Sequence, residues 1–372
     1  MASVTLGDVW KIYNSGKKNA VEAVRDISLE INSGELMAFL GPSGCGKTSI
    51  LRMIAGLEAV TRGIIRIGEK VVNNLTPAQR NIAMAFETYA LYPHMNIAQN
   101  LSFCLRARGI KMAEIENRVK RISEAVRIDS ILDKRPSELP GGQQQLVSVA
   151  RAMIREPNAF LLDEPFSHID ASLRTKIRGE IKRLVNLTST TTILVTHDQH
   201  EALAMADRVM VMNFAEIQQV GSAKDLLHRP TNIFVANFVG EPSINLIKCE
   251  IQKEADQCYL MCSNADGQFL LSKKMEHLLK EHKLSNVVVG IRPQQLRIVP
   301  QKEAYIRGNA ALFEFLGEEG HLLVESGNEQ LAVVIEPHMQ FDKGEPVGLA
   351  AEPSEIFLFD PESGDAIIHG IV

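Results

Sequence analysis

"ELMAFLGPSGCGKTSILRMIAGL", residues 35–57, decides the fold. The stretch 35–41, apolar from Leu36 to Leu40, predicts a buried strand, and the apolar spacing after residue 49 predicts a helix. Between them lies "GPSGCGKTS" (41–49), which matches G-x-x-x-x-G-K-[ST] from Gly41 to Thr48. Glycines at such a joint let backbone N–H groups close around phosphate oxygens. The loop residues Gly41, Pro42, Ser43, Gly44, Cys45 and Gly46 are therefore candidate phosphate contacts, continued by Lys47, Thr48 and Ser49. Lys47 is expected to reach the terminal phosphates and the Thr48 hydroxyl to ligate Mg²⁺. The competing reading, a glycine-rich turn carrying a surface lysine, sits badly with the strand–loop–helix context.

Three further stretches bear on this one. "AFLLDEP" is an apolar strand ending in Asp163 and Glu164. Asp163 suits Mg²⁺ through a water, and Glu164 suits polarisation of an attacking water. "LVTHD" ends another strand in His197, which would contact the γ-phosphate. A lone histidine at a strand end is often incidental, and only the neighbouring motifs give this one a role. In "SELPGGQQQLVSVARA" (137–152) a helix is expected to begin near Pro140, since proline suits a first helical turn. Gly141 and Gly142 then make either a plain turn into the helix or a bare helix N-terminus that holds an anion.

Composition narrows the classes. Of 372 residues, 45% are apolar and 23% charged, ordinary for a globular chain of two or three domains. The net charge of −5 offers no basic field to recommend nucleic acid as a partner. No apolar stretch approaches the roughly 20 residues of a membrane-spanning helix. The start "MASVTLGDVWKIY" lacks a basic head followed by an apolar segment, so no secretory signal is expected. The five cysteines show neither a zinc spacing nor a disulfide framework, and only Cys258 and Cys262 lie close in sequence.

Along the chain, "ELMAFLG", "NIAMAF", "AFLLDE", "TTTILVTH" and "RVMVMN" read as buried strands alternating with helices, the mark of a parallel sheet. Residues from about 88 to 157 read as a helical insert, with "EIENRVKRISEAV" its clearest amphipathic piece. After "FVGEPSINLI" the texture turns to short β-rich runs such as "VVVGIRP" and "LAVVIEP", punctuated by turn residues. The expected division is therefore residues 1–240, α/β, and 241–372, all-β.

Taken in order, these motifs resemble the ATP-binding subunit of an ABC transporter, across nearly the whole chain. "LPGGQ" (139–143) stands at the L-S-G-G-Q signature, "SHID" (167–170) at the loop that communicates across the dimer, and Tyr13 where an aromatic stacks on adenine. Trp10 is a weaker candidate for that stack. "YALYPHM" (89–95), "THDQHEALAMADRV", "GIRPQQL" (290–296) and "EFLG" (314–317) resemble the maltose and sn-glycerol-3-phosphate importer type. The resemblance implies a P-loop ABC ATPase fold with a helical subdomain and a C-terminal OB-like regulatory domain. It implies ATP and Mg²⁺, a head-to-tail dimer of ATPase subunits, and two integral-membrane permeases. It further implies an external solute-binding protein that acts indirectly, and a subunit placed peripherally on the cytoplasmic face of the membrane. In such a dimer Pro140, Gly141, Gly142 and Gln143 face the γ-phosphate of ATP on the opposite subunit. Ser167 and Asp170 match the communicating loop, and Glu87 stands at the Q-loop glutamine, a Mg²⁺-ligand position.

Three residues depart from the family pattern: Pro140 replaces serine, Glu87 replaces glutamine, and Leu146 replaces arginine. Losing one hydrogen bond to a charged phosphate costs roughly 1.5–3 kcal/mol, a ten- to two-hundredfold rate loss (roughly) if it falls wholly on the transition state. An ATP-binding regulatory subunit that hydrolyses weakly is therefore the second reading. A soluble ABC ATPase of DNA repair or translation is the third, opposed by the charge balance and the importer-like tail.

Overall fold

The computed structural model describes residues 2–86, 88–254, 257–271, 275–277, 279 and 284–368. The contacts divide the chain into two compact units, Met1–Ala223 and Lys224–Val372. In chain order the first unit runs β1 (Val4–Tyr13), β2 (Val21–Ile31), β3 (Leu36–Leu40), α1 (Lys47–Ala55), β4 (Arg62–Ile67), β5 (Lys70–Val71) and β6 (Ile82–Ala85). It continues with α2 (Ile97–Ala107), α3 (Met112–Ala125), α4 (Gly141–Met153), β7 (Ala159–Asp163), α5 (Ala171–Thr188), β8 (Thr191–Thr196), α6 (Gln199–Met205), β9 (Arg208–Asn213) and β10 (Glu216–Gly221).

The five strands expected from their apolar runs all lie in one six-stranded sheet of order β10-β9-β3-β8-β7-β6. Its interior pairs are parallel, and β10 closes one edge antiparallel to β9. Every residue of β3 and β8 is buried, as expected of strands covered on both faces. A second sheet, β2-β1-β4-β5, is antiparallel and is not among the expected strands. Its sequence signal is broken by bulges: register shifts lie between Leu6 and Val9 and between Val9 and Lys11. Asp8 and Asp26 take positive φ values of 48°. A bulge inserts an extra residue and spoils strict alternation.

Helix α1 buries Ile50, Leu51, Met53 and Ile54 in a core shared with Val4, Leu6, Met37, Phe39, Leu161 and Ile193. Full burial of each such side chain is worth about 1.5–3 kcal/mol, which holds the helix firmly behind the glycine loop. Its C-terminus is closed twice. Gly56 in the left-handed conformation donates its N–H to Met53, and the Arg80 guanidinium donates to the carbonyls of Met53 (2.6 Å) and Ile54 (2.9 Å). Burial lowers the Arg80 pKa from its ordinary value. The amphipathic stretch expected near residue 115 is α3, which buries Ile115, Val119 and Ile122.

The second unit is β-rich. From β11 (Asn245–Glu254) and β12 (Gln257–Cys262) onward its strands pair antiparallel throughout. Their core includes Ile247, Leu260, Phe269, Val289, Leu322, Val347 and Leu358. Contacts place the residues just before 241 with this β-rich part. Buried Arg292, from "GIRPQQL", donates to the carbonyls of Leu227 (2.9 Å) and Val239 (2.8 Å) and lies over the Phe357 ring. Its burial lowers its pKa to about 10. Composition changes at the first β-rich run, whereas the packing begins with the short helices that this arginine ties down.

Candidate active site

The phosphate loop connects β3 to α1. Gly46 caps the helix with φ of 108°, and a β-carbon there would come within 2.2 Å of the Ala23 carbonyl oxygen. Only glycine meets both conditions. Among the described residues no side chain caps the α1 N-terminus, which leaves backbone N–H groups of its first turn available for an anion. The Lys47 side chain is buried, and its Nζ donates to the carbonyls of Gly41 and Pro42, both at 2.8 Å. The ammonium is thus held back along the loop by two neutral acceptors, which a charged phosphate oxygen would outcompete.

Parallel register brings the other residues to the same edge. Leu40, the last residue of β3, pairs with Thr196 at the end of β8, and Asp163 at the end of β7 pairs with Val195. The phosphate loop, Asp163, Glu164 and His197 therefore leave the C-terminal ends of three neighbouring strands, the usual ligand side of an open α/β sheet. Glu164 adopts a positive φ of 44°, a costly conformation for a side chain longer than asparagine. Its N–H is tied to the Val195 carbonyl at 2.9 Å. The result aims its carboxylate at His197, with Oε2 3.3 Å from Nδ1, while Ser167 Oγ donates to the same oxygen at 3.3 Å.

His197 has its own support. Thr196 Oγ1 donates to Glu201 Oε2 at 2.5 Å and accepts the Asp198 N–H at 3.0 Å. These bonds clamp the residues on either side of the histidine. Glu201 is buried, and that burial outweighs the Thr196 bond, raising its pKa above the ordinary carboxylate value. Arg174 approaches Asp198 at 3.6 Å. The motif "THDQHEA" contained Thr196 and Glu201, but nothing in their spacing announced a buried bond between them.

The signature segment lies elsewhere on the unit. Pro140 is the cap residue of α4, with φ −65° and ψ 156°, and the helix begins at Gly141. The expectation of proline inside the first turn is corrected by one position. The Pro140 carbonyl accepts the N–H groups of Gln143 (3.0 Å) and Gln144 (3.1 Å). A β-carbon on Gly141 would lie 2.7 Å from Tyr89 Oη, and that hydroxyl donates to the His168 carbonyl at 3.2 Å. Tyr89 so links the signature to the "SHID" loop, a contact its sequence did not suggest. Burial, with Asp170 nearby, raises the Tyr89 pKa. Asp170 caps α5 through its carbonyl, which accepts from Leu173 and Arg174. Leu146 is buried, whereas Gln145 is fully buried with no hydrogen-bond partner for its amide among the described residues.

Tyr13 stands beside the first turn of α1, its Oη 3.2 Å from Ser49 Oγ, with Lys11 Nζ 4.7 Å from its ring centroid. Glu87 lies outside the described residues. For Mg²⁺, the donors present are the Thr48 hydroxyl in the first turn of α1 and the Asp163 carboxylate at the end of β7, against which α1 packs. Both are hard oxygen donors of the kind that ion takes.

Phosphoryl transfer asks a protein chiefly for positioning and charge stabilisation, and this strand edge is built for both. The fold and the site define a P-loop ATPase. The chain belongs to the ABC transporter family: an ABC transporter domain matches residues 24–167 and a TOBE domain residues 289–359. The chain is similar to the sn-glycerol-3-phosphate import ATP-binding protein UgpC of Cupriavidus necator, 38% identical over 99% of this chain and 100% of that protein. It is also 38% identical to the trehalose/maltose import ATP-binding protein MalK of Thermococcus litoralis, again over 99% and 100% of the two chains. Among solved structures, the dimeric post-hydrolysis ATP-binding cassette MJ0796 bound to ADP and Pi matches with a TM-score of 0.52 and 27% identity, covering 59% of this chain and 98% of that one.

Proposed function

We propose that this chain is the ATP-hydrolysing subunit that powers import of a carbohydrate-type solute: a sugar, polyol or glycerol phosphate. Its full-length likeness to import ATP-binding proteins supports the solute class. The observation that carries hydrolysis is Glu164, held at positive φ with its carboxylate 3.3 Å from His197 beside the phosphate loop. In this reading Glu164 orients a water and accepts its proton, while His197 steadies the γ-phosphate. Lys47 leaves the Gly41 and Pro42 carbonyls for the terminal phosphates, and the loop residues 41–49 supply N–H donors. Tyr13 receives the adenine on the ring face away from Lys11. Mg²⁺ would neutralise phosphate charge, held by Thr48 and, through water, Asp163, with Glu87 as a further candidate.

Two copies would face head to tail, each offering Pro140 to Gln143 to the partner's ATP, with Ser167 and Asp170 carrying the message between sites. Dimer closure would move two membrane permeases, fed by an external solute-binding protein, so the chain would sit peripherally at the cytoplasmic face. Among the described residues no helix is long and apolar enough to cross a membrane, so attachment would be through the permeases. The β-rich part from about residue 241 would serve as the regulatory domain. Phosphate release from Mg-ATP by the purified chain, together with co-purification of two permeases, tests the reading. ATP binding without release would favour the second reading, a weakly hydrolysing regulatory subunit. That alternative rests on Pro140, which makes no side-chain cap hydrogen bond.

A further inference from the structure

The sequence singles out Cys258 and Cys262 by proximity, but the sheet pairs Cys262 with Cys249. These two are register partners across β11 and β12, with Sγ atoms 3.8 Å apart. The neighbouring pair is main-chain bonded, Ser263 N–H to Lys248 carbonyl at 2.8 Å. Cys249 and Cys262 therefore occupy the alternate kind of antiparallel position, where facing residues share no main-chain bond and approach more closely. The Cα atoms of such a pair lie about 4.5 Å apart, inside the window of about 4.4–6.8 Å that a disulfide spans. We propose that Cys249 and Cys262 form an oxidisable dithiol, converted to a cross-strand disulfide by a low-molecular-weight disulfide.

The two thiols divide the work. Cys249 is buried and donates its S–H toward Cys262, which is half-buried and the more accessible of the two. That bond lowers the Cys262 pKa and, with burial, raises that of Cys249. The Cys262 thiolate attacks one sulfur of the small disulfide RSSR, forming a mixed disulfide and expelling RS⁻, which takes up a proton. Cys249 then attacks Cys262 Sγ and breaks the mixed bond. Its proton goes with the second RS⁻, so that two protein thiols and one RSSR become one protein disulfide and two RSH. The bond would tie the strand that opens the β-rich unit to its neighbour and close the loop between residues 249 and 262, which restricts the unfolded chain.

The test incubates the full chain with oxidised glutathione under native conditions, then maps its peptides by mass. The expected result is a loss of two hydrogens on linked peptides carrying Cys249 and Cys262, with a higher melting temperature that reductant reverses. In Cys249→Ser a stable glutathione adduct on Cys262 should accumulate instead. Wild-type protein that stays fully reduced, or that links a different pair such as Cys258 and Cys262, would overturn the proposal whether or not the variant folds.

Discussion

Replacing Pro140 by serine isolates one hydroxyl at the helix terminus proposed to face the partner's ATP. The backbone there already has the extended cap conformation, φ −65° and ψ 156°, which serine favours at the same position. The bonds that start the helix use the Pro140 carbonyl, not its ring, and survive the change. Removing proline frees the unfolded chain and costs about 0.4–1 kcal/mol, while a serine cap returns about 1 kcal/mol, so the melting temperature should barely move. A hydroxyl can accept a helix N–H and still donate outward. If its proton reaches the γ-phosphate in the transition state, the charged hydrogen bond contributes about 1.5–3 kcal/mol, and its lower end corresponds to about a tenfold rise in kcat. Steady-state phosphate release at saturating Mg-ATP reads this directly. ATP affinity of the monomer should be unchanged, because the signature is proposed to contact only the opposite subunit's nucleotide. Equal kcat for the two proteins would refute the idea that Pro140 weakens the site.

Lys47→Ala should abolish phosphate release while the far-ultraviolet spectrum and melting temperature stay near wild type; turnover like wild type would remove the phosphate-loop reading. Glu164→Gln should keep ATP binding, slow hydrolysis at least a hundredfold (roughly), and trap a dimer on gel filtration with Mg-ATP. A fully active monomer would contradict the role given to Glu164. Glu201→Ala should lower kcat with little change in KM, and Glu201→Gln should restore most of it by accepting the Thr196 bond; equal loss in both would argue against positioning. Because burial raises the Glu201 pKa in the folded state, that carboxyl favours folding below its ordinary value of 4.5 and loses this contribution as pH rises through the raised value. Urea melts of Glu201→Gln should therefore gain on wild type across that window. Gln145→Leu should raise stability by about 1 kcal/mol, since it removes a buried amide with no hydrogen-bond partner among the described residues; destabilisation would show that the amide has one.

The phosphate loop is legible because its chemistry is contiguous: nine consecutive residues carry the turn, the charge and the hydroxyl, framed by a strand and a helix. The five parallel strands are legible for a similar reason, since burial on both faces leaves unbroken apolar runs. The antiparallel sheet of β1, β2, β4 and β5 is not. Bulges at positions such as Asp8 break the alternation that would have announced it. Within the candidate site, Glu164 and His197 each stand out at a strand end, yet only the parallel register of β7 and β8 turns two separate motifs into a contacting pair. The clamp from Thr196 to Glu201, the link from Tyr89 to the "SHID" loop and the pairing of Cys249 with Cys262 are decided the same way. Local sequence sets which turn or strand forms, because those energies depend on near neighbours. Which side chains meet across strands depends on sheet order and register, set by the packing of the whole core.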